Sequence, residues 1–197
     1  MISGFQVARQ ARALMGGEEG KELSPEDLEK VKESVAYGCI KYADLCHNRT
    51  HDYVFSFDKM LDDRGNTAAY LLYTNTRIRS IARNAGVSPE ALSSHVKEHG
   101  IQLSHPAELK LAKFILRMPE VLSRVVSDLL LHTLCDYLYE LTTTFTEFYD
   151  QCYCIEKDKA TGQIVKVNMD RLLLCEATAQ VIATCFHILG IEPLDKM

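Results

Sequence analysis

The 197-residue chain contains no tryptophan, so any aromatic surface it offers is built from its nine tyrosines and seven phenylalanines. No uninterrupted apolar run approaches the roughly 18 residues that cross a bilayer. A Gly-rich phosphate cradle of the Walker type, a Gly-x-Ser-x-Gly elbow and a His-Glu-x-x-His pair are all missing, which removes the motif-readable nucleotide, hydrolase and zinc-protease chemistries. Cysteines occur at positions 39, 46, 135, 152, 154, 175 and 185. The nearest approaches to metal spacing are Cys46-His47 with His51 and Cys152-x-Cys154, and neither has a second half, so no metal site is expected. With no secretory pattern, the thiols read as reduced, several of them on apolar helix faces. Internal repeats, low-complexity tracts and heptads are absent too. The net charge of −5 argues against a general nucleic-acid binder.

The charge is unevenly spread. Residues 66–124 carry eight Lys and Arg against four Glu, whereas residues 125–197 carry five basic against eleven acidic residues. An RNA contact would therefore centre on the first of these segments and depend only moderately on salt. Hydrophobic residues make up 47% of the chain, enough for one core of about 130 to 160 residues with an extension.

Helix signals dominate from residue 24 onward. Ser24-Pro25-Glu26-Asp27 supplies a hydroxyl cap, a proline at the first helical position and carboxylates in the first turn, and Leu28, Val31, Val35 and Cys39 follow at helical intervals to about Leu45. Residues 46–65 are polar and turn-rich, with Tyr53, Phe55 and Phe57 alternating in a short extended piece. Ser88-Pro89 starts a short helix to about Glu98. His105-Pro106 opens another, with Leu109, Leu111, Ala112, Ile115 and Leu116 facing inward, that stops at Met118 because Pro119 cannot continue it. From Pro119 an apolar pattern including Val121, Val125, Val126, Leu129, Leu134, Leu138 and Leu141 predicts a long central helix to about Tyr149, single or broken near Thr142-Thr143-Thr144. Residues 152–168 outline a surface hairpin or loop around Thr161-Gly162, and a last helix runs from about Asp170 to Leu189 and ends on Gly190. The sum is an all-α bundle of five or six helices with one short hairpin or loop insertion.

One helix has a distinctive surface. Asn66 or Thr67 can cap it, and no breaker follows until Gly86, so residues 67 to 85 form one element. At about 100° per residue, Tyr70, Tyr73 and Arg77 share one side, beside an apolar stripe of Leu71, Ile78, Ala82 and Ala85. Two phenol rings and a guanidinium are a minimal kit for holding unstacked nucleotides. The same pattern also suits half-buried core tyrosines and an arginine paired to a neighbouring acid. Asp44 and Asp58 have acid–base chemistry available, but nothing makes them converge.

The run Val35-Ala36-Tyr37-Gly38-Cys39-Ile40-Lys41-Tyr42-Ala43-Asp44-Leu45, then Asn48-Arg49, Asp52-Tyr53-Val54-Phe55-Ser56-Phe57-Asp58-Lys59-Met60-Leu61, Gly65-Asn66-Thr67, Tyr70-Leu71-Leu72-Tyr73 and Arg77-Ile78-Arg79-Ser80-Ile81 resembles arginyl-tRNA synthetases where the catalytic domain hands over to the anticodon-binding domain. The ending Arg171-Leu172-Leu173-Leu174-Cys175-Glu176-Ala177, Leu189-Gly190-Ile191 and Met197 resembles cytoplasmic-type members. The resemblance implies an atypical leader over residues 1–23, the end of a class I catalytic domain over 24–64 and a helical anticodon-binding domain over 65–197. It implies anticodon contacts at Tyr70, Tyr73, Arg77, Tyr149, Tyr153 and Met197, with Tyr153 standing where the family can carry tryptophan. The implied partners are tRNA(Arg), arginine and ATP with magnesium through the catalytic domain, and other synthetases in a complex; neither DNA nor a membrane is expected, and the implied location is cytoplasmic. The His-x-Gly-His and Lys-Met-Ser-Lys-Ser loops of a class I synthetase do not occur, since Lys59-Met60 runs into Leu61-Asp62. No catalytic residue and no bound cofactor are therefore expected in this chain, which is predicted inactive by itself. A non-catalytic protein-interaction module derived from the synthetase is the alternative reading.

Overall fold

The computed structural model of the protein describes residues 25–158 and 161–194. The leader over 1–23, the Ser24 cap, the side chain of Leu28 and Met197 lie outside the described residues. The helices are α1 (Pro25–Leu45), α2 (Phe57–Met60), α3 (Ala68–Ala85), α4 (Pro89–His99), α5 (Pro106–Ile115), α6 (Met118–Asp128), α7 (His132–Gln151) and α8 (Met169–Leu189). Between α7 and α8, strands β1 (Ile155–Lys157) and β2 (Ile164–Val167) pair antiparallel, with Ile155 opposite Val167 and Glu156 opposite Lys166. The insertion is thus a hairpin, and the architecture is an all-α bundle.

Among the described residues eight helices stand where the sequence predicts five or six, for two physical reasons. The first is α2, a single turn capped by the Ser56 hydroxyl in place of the expected extended piece. The second is that the central helix is split into α6 and α7 at Leu129–Leu131, not at Thr142–Thr144. The threonines do not interrupt α7, because Thr142 and Thr143 donate to the Tyr139 and Glu140 carbonyls and keep their hydroxyls within the helix. The break follows Asp128, whose carboxylate accepts the Leu130 N–H at 2.9 Å while Leu129 turns left-handed at φ 57°. A leucine there carries a steric cost of about 1 kcal/mol, and its side chain is exposed, with little burial to lose. Leu129→Gly is therefore expected to stabilise the fold by about 0.5 kcal/mol after the extra freedom of glycine in the unfolded chain is subtracted. Urea denaturation checks this through a raised midpoint at unchanged slope.

Helix α5 ends at Ile115, a turn before the predicted stop, and Pro119 sits in the first turn of α6, where its missing N–H costs nothing. With the turn lost, Leu116 is exposed; Leu109 is also exposed because the inward face runs through Ala107 and Leu111. Val126 and Leu129 likewise face outward at the end of α6, while Val121 and Val125 are buried.

The core gathers around α7 and α8. Helix α8 packs on α3, α5 and α7, and α3 packs in turn on α1. Contrary to the reading of the sequence, α8 is long and apolar enough to cross a membrane by length and composition, yet half of that stretch is buried against its neighbours. Phe145 and Phe148 of α7 and Phe186 of α8 are among the largest fully buried side chains. Beyond α8 the chain returns across α1 and α3. Ser34 donates to the Glu192 carbonyl at 2.6 Å, and the buried Asn75 amide donates to the Leu194 carbonyl at 3.0 Å. This strap ties the helix preceding residue 46 to α3.

Candidate nucleic-acid interface

Helix α3 begins where the sequence places it. Thr67 is the cap: its hydroxyl oxygen accepts the Tyr70 N–H at 3.2 Å and its O–H donates to the Asp62 carbonyl at 2.7 Å. Asn66 serves another purpose, lying 2.5 Å from the buried Tyr42 hydroxyl, which also approaches the Cys135 carbonyl at 3.0 Å. These contacts bind α1, the start of α3 and the start of α7 into one frame. Gly86 closes α3 at φ 64°.

The predicted stripe of α3 is buried at Leu71, Ile78 and Ala85. Thr74, Asn75 and Thr76 are buried as well, the threonine hydroxyls donating to the Tyr70 and Tyr73 carbonyls. These three polar residues therefore face inward while two of the predicted site residues, Tyr73 and Arg77, are exposed.

Tyr70 is half-buried and meets Tyr139 of α7 edge to face, ring centroids 5.9 Å apart. Two turns on, the Arg77 guanidinium carbon lies 5.2 Å from the centre of the Tyr149 ring. Among the described residues no acid stands within ion-pairing distance of Arg77, so its partner is an aromatic face and not a carboxylate. Tyr149 stacks on Phe145 at 6.0 Å and 15°, one face in the core and one toward Arg77. Burial raises the Tyr149 hydroxyl above its ordinary pKa, and the nearby Arg77 charge opposes that shift. The ring is neutral at physiological pH and suited to stacking. Tyr73 makes no ring contact among the described residues and is 39% exposed. Tyr153 is 73% exposed, beyond the end of α7.

Two contacts thus lie along the seam between α3 and α7, Tyr70 with Tyr139 and Arg77 with Tyr149, and Tyr73 is exposed one turn before Arg77; this seam is the candidate furrow. Tyr153 is placed by its backbone alone, its carbonyl accepting from the Arg171 guanidinium at 2.9 Å. Tyr139 is part of the furrow and escaped the sequence reading. The available signal was its position ten residues before Tyr149 on one continuous helix, which brings both rings to the same side with Thr146 between them. Asp44 accepts from the Tyr53 hydroxyl and Asp58 sits in the first turn of α2, so the two do not share a site.

Phenol rings beside one guanidinium are suited to stacking on bases more than to charge pairing. Residues 71–197 match the family model described as the DALR anticodon binding domain. The chain belongs to the DALR anticodon-binding domain family. A second model, the catalytic domain of class I tRNA synthetases (R), matches residues 4–57. Among relatives of this DALR chain, the cytoplasmic arginine–tRNA ligase of Xenopus tropicalis is 68% identical over 90% of the chain and 27% of that protein. The cytoplasmic arginine–tRNA ligase of Homo sapiens is 60% identical over 100% of the chain and 30% of that protein. The chain therefore spans less than a third of the length of these curated relatives. Arginyl-tRNA synthetase from Plasmodium falciparum superposes with a TM-score of 0.75 at 30% identity, covering 98% of this chain and 32% of that one. The Thermus thermophilus enzyme, at 22% identity and a TM-score of 0.73, covers 98% of this chain and 31% of that one and shares the fold. These relatives favour the synthetase reading over the protein-interaction module.

Proposed function

We propose that this DALR domain reads the anticodon loop of tRNA(Arg), with Tyr70, Tyr73, Arg77, Tyr149, Tyr153 and Met197 as its contacts. The observation that carries the reading is the pairing of Arg77 with the Tyr149 ring at 5.2 Å beside the exposed ring of Tyr73. Bases turned out of an anticodon loop lose their stacking neighbours, and each aromatic face returns about 1–3 kcal/mol. Backbone groups and hydroxyls around the furrow then read base edges. Residues 24–64 are proposed as the end of the catalytic domain, whose family match reaches back to residue 4, and 65–197 as the anticodon domain. In the whole enzyme, arginine is joined to its tRNA with ATP and magnesium handled by the catalytic domain. The setting is cytoplasmic, with other synthetases as assembly partners and neither DNA nor a membrane among the ligands.

The test is binding of the chain to an arginine-tRNA anticodon stem-loop, beside a loop with altered anticodon bases, at two salt concentrations. Preference for the cognate loop, weakened about tenfold in Tyr73→Ala, is the expected result. Binding blind to the anticodon bases, or unchanged in Tyr73→Ala, overturns the reading.

A further inference from the structure

The end of α7 has an unusual support. The Arg171 guanidinium, in the first turn of α8, donates from Nε to Glu108 Oε1 at 2.6 Å and from Nη1 to the Tyr153 carbonyl at 2.9 Å. Glu108 is 2% exposed, and its other oxygen accepts the backbone N–H groups of Ser104 and His105 at 2.8 and 2.9 Å. Burial by itself raises the Glu108 carboxyl; the hydrogen bonds from His105, Arg171 and Ser104 outweigh it and hold the group below its ordinary pKa as a carboxylate. The capping box of α5, the side chain of α8 and the backbone that follows α7 are thereby fastened to one ion pair.

Tyr153 lies past the last residue of α7 with its side chain in solvent, between Cys152 and Cys154, which are buried, and its own carbonyl is held by Arg171. A stacking platform on a loose backbone must be ordered each time it binds, and that ordering subtracts from affinity. We propose that Arg171 is a positioning residue for RNA binding: by fixing the Tyr153 carbonyl against the Glu108 carboxylate, it pre-organises the Tyr153 ring just beyond the end of α7. The proposal rests on the anticodon-loop reading given above. A guanidinium is required because two acceptors in different directions must be met by one planar group, whereas a lysine ammonium at this place can reach one or the other.

The experiment uses the 197-residue chain as wild type, Arg171→Lys, Tyr153→Ala and the double variant, with affinity for the cognate anticodon stem-loop measured beside amide hydrogen exchange. Arg171→Lys is expected to weaken binding about tenfold, the scale of one lost charge-assisted hydrogen bond, and to accelerate exchange at residues 152–155. In the Tyr153→Ala background the same change is expected to alter affinity by less than about twofold, since its effect runs through the ring already removed. Equal losses in both backgrounds, or unchanged exchange at 152–155, overturn the proposal. Glu108→Gln, which weakens the anchor while leaving the Arg171 side chain itself unchanged, moves both readouts in the same direction if the proposal holds. A wild-type chain that binds no stem-loop refutes the anticodon reading and the proposal with it, whereas cognate binding that Arg171→Lys leaves unchanged refutes the positioning role alone.

Discussion

Arg77→Glu is expected to lower affinity for the cognate anticodon stem-loop by about hundredfold in ~0.1 M salt. Two losses combine: one phosphate contact and the repulsion a carboxylate adds beside RNA. The salt dependence should also weaken, by about 0.7 in the logarithmic slope for one contact to single-stranded phosphate. Folding is expected to lose no more than about 1 kcal/mol, the Tyr149 contact, because Arg77 is exposed and no acid among the described residues pairs with it. Arg79, two residues on, is a poor substitute for this test. It is half-buried and its Nη1 lies 3.4 Å from Glu176 of α8, so reversing it strikes a contact between helices. Fluorescence titration at two salt concentrations, with a melting curve for each variant, separates the two sites. Wild-type affinity in Arg77→Glu would place the RNA elsewhere on the molecule.

What could be read from the chain was what short-range chemistry decides. Thr67, Gly86, Ser88, Gly190 and the prolines at 89 and 106 each act within a turn of themselves, and the helix ends they predicted were found within a residue or two. The side of α3 bearing Tyr70, Tyr73 and Arg77 was legible because helical geometry alone puts them together. The break at Leu129 was not legible, since no glycine or proline marks it and it depends on Asp128 bonding the Leu130 N–H. Leu109 and Leu116 were misassigned for a related reason: apolar residues on a short helix do not announce which of them its neighbours will cover. Tyr139, although its spacing from Tyr149 could be read, and Arg171 take their partners from tertiary structure. One acquires its role only where α3 crosses α7, and the other only where α8 begins beside both Glu108 and Tyr153.

Phe148→Ala is expected to produce the largest loss of stability among changes in α7, with little to do with RNA. The ring is fully buried and packs against Phe145 at 5.9 Å and 55°, in the layer where α7 meets its neighbours. Removing a buried phenylalanine costs about 3–5 kcal/mol, because the transfer energy of the ring and the cavity it leaves act in the same direction. For a chain of this size each kcal/mol moves the melting temperature by about 2–4 °C, so a fall of about 10 °C or more is expected by calorimetry. Tyr73→Ala supplies the opposite pattern: the ring is 39% exposed, so melting should move by no more than about 2 °C while stem-loop affinity falls about tenfold. At a temperature where Phe148→Ala is fully folded, its affinity should lie within about threefold of wild type, since the furrow is lined by Tyr149 and not by the residue before it. The two variants therefore exchange effects between stability and binding. A Tyr73→Ala protein that melts as low as Phe148→Ala would show that Tyr73 belongs to the core, and the binding face would then have to be drawn without it.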